Sequence, residues 1–188
     1  MHHRKVFLFG LLLAGILLSG CISQTSFDQE FPKVRAIMER NGAFFPKTLV
    51  PPSIDLINRT QFELEAYKSA LVKQPESQDK KAVNAFLTAH NHLLEMQKQF
   101  LEGGTETSLT DFTLISCEKG SNLSKAITHY ELAAVQADLA EKNFAAFENA
   151  FSVYAGKTEI DYTDLENELK TSKATFLELK SANQKLCS

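Results

Sequence analysis

Three cysteines and five histidines are the residues of this 188-residue chain best suited to chemistry. Cys21 follows an uncharged run, Val6 to Leu18, and the small residues Ser19 and Gly20; its thiolate is a far better nucleophile than a serine hydroxyl. Neither Cys117 nor Cys187 has a second Cys or a His at ligand spacing, so they read as a candidate disulfide or as two free thiols, and not as a zinc site. His90 and His92 lie two apart on a helix-forming stretch, where side chains diverge and cannot hold one ion together. His90, between Phe86 and Leu94, has the setting of a core residue. His129 would meet it only across a pair of helices, as axial ligands of a haem or parts of a metal site do, yet no Cys-x-x-Cys-His or Glu-x-x-His accompanies either one. The acids Asp161, Asp164, Glu166 and Glu168 lack calcium-loop spacing and suit the positive end of a helix instead. No glycine-rich phosphate loop, Gly-x-Ser-x-Gly elbow or His-Glu-x-x-His is present. The expectation is no catalytic residue, no metal, no cofactor and no enzyme.

Cys21 has a more specific context. Residues 1–20 have the parts of a secretory signal: His2, His3, Arg4 and Lys5 at the start, the uncharged run, then small residues before the cut. The run is shorter than the roughly 20 residues a retained span needs, is interrupted by Gly10 and Gly15, and lacks a basic flank after it. Leu18-Ser19-Gly20-Cys21 resembles the lipobox of prokaryotic lipoprotein precursors. The resemblance implies cleavage between Gly20 and Cys21, a diacylglyceryl group on the Cys21 thiol and an acylated new amino terminus. At about 0.8 kcal/mol per buried methylene, two or three chains hold a protein on a bilayer almost permanently, where one holds it marginally. The resemblance covers the first two dozen residues. It implies an exported protein anchored to the cell membrane through Cys21, or to the periplasmic face of the outer membrane where the cell has two. In the latter case Ile22, which is not Asp, fits outer-membrane sorting.

Cleavage removes Arg4 and Lys5 and no acid, so the 20 basic residues fall to 18 against 23 acidic ones, a net charge of −5. No basic stripe exists to displace counterions from phosphates, which excludes nucleic acid as a natural partner, and electrostatic attachment to anionic lipid is disfavoured as well. The remaining chain suffices for one domain, burying roughly 70% of its unfolded surface. The organisation expected is signal 1–20, lipidated Cys and tether 21–26, and one domain over 27–188.

The elements that must position these residues read as helix almost throughout. Phe31, Val34, Ile37 and Met38 recur at steps of three and four, with Ser26 and Gln29 at capping-box spacing and Asn41-Gly42 as a stop. Three prolines between Phe44 and Pro52 make a rigid connector. Ser53 opens a second helix carrying Ile57, Leu64, Tyr67 and Leu71. A third runs from about Ser77 to Leu101, with Gly103-Gly104 expected to end it. Residues 105–120 fit a short strand or a helical turn equally. From Ser121, one apolar face from Leu123 through Phe144, Phe147, Phe151 and Tyr154 continues to Gly156, a helix of about 50 Å if unbroken. Thr163 and Glu166 have the spacing to open the last helix. The fold class expected is all-α, an antiparallel bundle of four to five helices after a cleaved signal peptide.

In such a bundle the last helix, starting opposite about residue 153, reaches back to about residue 130, roughly 20 Å short of Cys117. A disulfide therefore requires the chain before Ser121 to fold back at Gly120, which a glycine permits. The phenylalanine stripe is a core by default and a groove for a partner helix otherwise. Two functions remain open: a membrane-anchored, non-enzymatic module for protein–protein interaction or envelope complex assembly, and a bundle that binds a small molecule or cofactor through His90, His129 and Met96. Replacing Cys21 by Ser should abolish lipid labelling and leave uncleaved precursor, as read by mass spectrometry of the amino-terminal peptide. Normal cleavage and labelling of that variant would refute the anchor.

Overall fold

The computed structural model describes residues 26–42 and 53–187. The chain is an all-α bundle with no strand among the described residues: α1 (Phe27–Arg40), α2 (Ile54–Val72), α3 (Gln78–Ser108), α4 (Asn122–Ala150), the single turn α5 (Ser152–Ala155) and α6 (Tyr162–Lys185). The three long helices α3, α4 and α6 pack side by side, and α1 and α2 cover the amino-terminal half of α3. The signal, Cys21, the tether up to Thr25 and the proline-rich connector lie outside the described residues.

Local chemistry sets most of the boundaries. The Ser53 Oγ accepts from Leu56 N, the Ser77 Oγ from Lys80 N and the Ser121 Oγ from Ser124 N, so each serine satisfies one of the amides a helix leaves unpaired at its start. The capping box expected at Ser26 does not form. Its side chain makes no cap bond, and the Phe27 amide instead donates to Asp79 Oδ1 (3.0 Å) from the first turn of α3. The end of α2 is also closed from a distance: the Lys80 ammonium, buried at the start of α3, donates to the carbonyls of Val72 (3.0 Å) and Gln74 (2.7 Å) and pairs with Glu76. At α6 the cap is Asp161, whose Oδ1 accepts from the amides of Thr163 and Asp164 at 3.0 Å, so Thr163 lies inside the helix it was expected to open.

Two longer-range expectations need correction. Helix α3 does not stop at Gly103-Gly104 but runs on to Ser108. A Cβ on Gly103 would stand 2.9 Å from the Tyr130 ring, which is itself buried, so this glycine is a point of close approach between α3 and α4 and does not terminate the helix. The extra turn places Thr107, whose Oγ1 lies 3.3 Å from the Tyr130 hydroxyl and accepts from the buried Asn183 Nδ2 (3.2 Å), joining the ends of α3, α4 and α6. Conversely, α4 does not continue unbroken to Gly156. Phe151 leaves helical geometry (φ −133°, ψ 42°), and the turn after it sends the Tyr154 ring back onto Phe27, 4.9 Å between centroids.

Helices α4 and α6 are antiparallel, with Lys170, Lys173 and Lys180 facing Glu141, Asp138 and Glu131 in that order. Lys142 and Lys173 donate to Asp138 and hold its carboxyl down to about 2. Such partly exposed pairs add little stability singly, but together they fix the register. Extended along α6, that register sets Cys187 beside about residue 124, several residues beyond the point at which a straight α4 would have left it.

The core is aromatic at the end where α1 sits. Phe86, fully buried, lies within 6.0 Å of the Phe31, Phe144 and Phe147 rings, so the phenylalanine stripe of α4 is core. The two adjacent glycines of α3 give opposite tests. Gly104 has open space at its Cβ position, so Gly104→Ala should raise stability in urea unfolding by about 0.5–1 kcal/mol through helix propensity. Gly103→Ala should lower it by about 1 kcal/mol or more, because overpacking against Tyr130 exceeds that gain.

Candidate functional site

The histidines do not converge. His90 is fully buried, its ring 6.0 Å from Phe86 and nearly parallel to it (13°), as a core residue. His92 turns the other way, with Nδ1 2.8 Å from Gln136 Oε1. His129 Nδ1 lies 2.7 Å from Gln99 Oε1 and 3.4 Å from Glu102 Oε2. Gln99 is nine positions beyond His90, roughly 14 Å along α3, so His90 and His129 do not share a site. No group of three or more metal-ligating side chains occurs among the described residues.

The acidic residues are dispersed along the start of α6. Asp161 is its cap and Glu166 pairs with Lys170 one turn on. A buried carboxylate that sequence reasoning missed, Glu30, accepts from the Lys33 ammonium (2.8 Å) and the Tyr67 hydroxyl (2.5 Å), tying α1 to α2. Burial pushes its pKa up, but the bonds from Lys33 and Tyr67 outweigh this and leave it below the ordinary glutamate value. The Tyr67 hydroxyl is pushed well above its ordinary value by burial and by the Glu30 charge. Both groups move away from neutrality, the opposite of what a general acid or base requires. The pair holds helices together.

The strongest surface feature is the loop from Leu109 to Ser121, read from sequence as a strand or a helical turn. Of the segment 105–120 that the sequence left open, the residues up to Ser108 continue the helix and the rest is a series of turns. Cys117 and Cys187 are bonded, with Cα atoms 5.6 Å apart. Gly120 (φ +92°) makes the backward fold that the disulfide requires. The loop is braced at three further points. Asp111 Oδ1 accepts from the amide (2.9 Å) and hydroxyl (2.6 Å) of Thr113, bonds that also lower the Asp111 pKa. Leu114 N donates to Asp111 O, and Asn122 Nδ2 donates to Leu109 O (2.8 Å). This braced segment nevertheless leaves large apolar side chains in water: Leu114 is 78% exposed, Leu109 61% and Phe112 53%, and Ile115 and Leu186 are exposed as well.

The position of the loop relative to the chain start follows from α3. The Phe27 amide meets Asp79 at one end of α3, and Leu109 leaves the other, 30 positions and about 45 Å away. The five bonds from Cys21 to Ser26 span at most about 18 Å, so the loop lies well beyond the reach of the tether. No protein-family model, curated protein or solved structure matches the chain.

Cys117→Ser, Cys187→Ser and the double variant should each lose about 2–4 kcal/mol of stability in urea, with the double no worse than either single. Reductant should bring the wild type to the same midpoint; unequal single losses would mean that the thiols act separately.

Proposed function

We propose that the protein is an exported lipoprotein, anchored through lipid on Cys21 after cleavage at Gly20, whose bundle is a non-enzymatic module that presents its disulfide-braced loop to another envelope protein. The observation that carries this reading is the combination of fixed backbone and exposed apolar side chains at Leu109, Phe112, Leu114 and Ile115. Exposed apolar surface is unfavourable in water, and a loop held by a disulfide and hydrogen bonds loses less entropy on docking than an unconstrained one. The anchor is supported by the lipobox resemblance. No helix among the described residues is long and apolar enough to cross a membrane, so attachment rests on residues 1–25. The disulfide suits an oxidising compartment such as an envelope. In a cell with two membranes the anchored face is the periplasmic face of the outer membrane.

The loop is tested against the opposite end of the bundle. A photo-crosslinking residue at position 114 should capture one near-stoichiometric partner in cells, and the same residue at position 153, equally exposed near the chain start, should not. The pair Phe112→Ser and Leu114→Ser should weaken that interaction tenfold or more, given about 1.5–3 kcal/mol for each large apolar side chain buried, with an unchanged melting temperature. Capture from 153 and none from 114 would overturn the reading.

A further inference from the structure

Three segments meet at the end of the bundle where α1 starts. The Phe27 amide donates to Asp79 Oδ1 in the first turn of α3. The connection between α2 and α3 lies against the same helix start, because the buried Lys80 ammonium reaches the carbonyls of Val72 and Gln74. The turn α5 is held there by the Tyr154 ring on Phe27, 4.9 Å between centroids, and by Lys157 on Asp28 (2.8 Å). These turns and the start of α1 form one end face, at the opposite end of α3 from the Leu109–Ser121 loop.

Both turns leave an apolar side chain in water: Val153 is 73% exposed and Val72 60%. Either one alone would be ordinary. Their place relative to Cys21 is what gives them a partner. Ser26 follows Cys21 by five residues, a span of at most about 18 Å, so lipid on Cys21 keeps this face beside the headgroups while the loop leaves the far end of α3, about 45 Å on. A surface held on so short a tether meets the bilayer at an effective concentration on the order of millimolar, so a contact of two valines is populated that an untethered domain would not hold. Charge agrees with that placement. The chain after Gly20 carries a net −5, but here Lys157 is paired with Asp28 and Lys80 with Glu76, and the exposed Lys73 and Lys81 outnumber Asp79. Anionic lipid therefore does not repel this end.

We infer that this end face rests on the lipid bilayer, with Val72 and Val153 in the interface, so that α3 stands away from the membrane and carries the Leu109–Ser121 loop outward. The inference rests on the lipid-anchor reading of Cys21 and adds to it a second contact, made by the folded domain itself. It is independent of what the loop binds.

Cys117 and Cys187 are bonded and Cys21 carries the lipid, so a cysteine introduced elsewhere is the one free thiol. Lipidated protein with Val72→Cys, Val153→Cys, Val135→Cys or Leu114→Cys is labelled with bimane and placed in nanodiscs of phosphatidylcholine and phosphatidylglycerol, with or without a phosphatidylcholine spin-labelled near its glycerol. Val135 is 50% exposed midway along α4, and Leu114 lies on the loop. An apolar group in the interface sits about 5–10 Å into the headgroup and acyl boundary, close to the spin label, so emission from 72 and 153 should fall by about half or more. Emission from 135 and 114 should not change. Unquenched emission at all four positions, on protein whose Cys21 lipid is verified by mass spectrometry, would overturn the contact and leave the anchor standing. Quenching at only one valine would refute a shared face, and quenching at 135 in place of 72 and 153 would mean that the bundle lies on its side. Protein without lipid on Cys21 would defeat the anchor reading and this inference with it.

Discussion

The close approach of α3 and α4 at Gly103 is the constraint on which the rest of the bundle depends. The Tyr130 ring occupies the space a Cβ would take, so the two longest helices meet more closely there than larger side chains allow. Because the glycine serves that contact, α3 keeps its last turn, and Thr107 then meets both the Tyr130 hydroxyl and Asn183. That three-helix junction holds the end of α6 beside α4, and the end of α6 delivers Cys187 to Cys117.

The opposite end is organised differently. There, stacked and edge-on aromatic rings from α1, α3, α4 and the turn after α4 fill the core, and polar groups from one helix close the termini of another. Asp79 caps α1, Lys80 caps α2, and Glu30 ties α1 to Tyr67. These groups are ionisable, buried or nearly so, and matched to fixed partners. Each of them acts in holding one helix against another.

What remains exposed is correspondingly informative. Single apolar residues on a protein surface are ordinary, but four within seven positions, on a loop braced by a disulfide and by side-chain hydrogen bonds, require a rigid segment to keep its apolar groups in water. In the proposed reading, their place at the end of α3 remote from α1 leaves one end of the molecule for the bilayer and the other for a partner.

The helices, their apolar faces, the serine caps at 53, 77 and 121 and the all-α class were legible in the sequence because each depends on residues within a few positions of one another. The lipobox resemblance at Leu18–Cys21 is likewise a linear pattern, and it lies outside the described residues. The ends of the helices were read less well where the deciding partner is remote. Gly103 read as a stop because sequence shows its freedom but not the Tyr130 ring, 27 positions away, that requires its lack of a side chain. Ser26 was expected to cap its own helix, yet Asp79 from another does so, and Asp161 took the place expected of Thr163. Cys117 and Cys187 were visible as a candidate pair, but whether they could meet depended on the α4–α6 register and on the backward turn at Gly120. The exposure of Leu114 carries no sequence signal, since it follows from what surrounds the residue. The sequence by itself determined which segments are helical and which faces they bury, through local periodicity and capping. The tertiary structure decided where those helices stop, which cysteines bond and which apolar groups are left in water, because those outcomes are set by contacts between residues far apart in the chain.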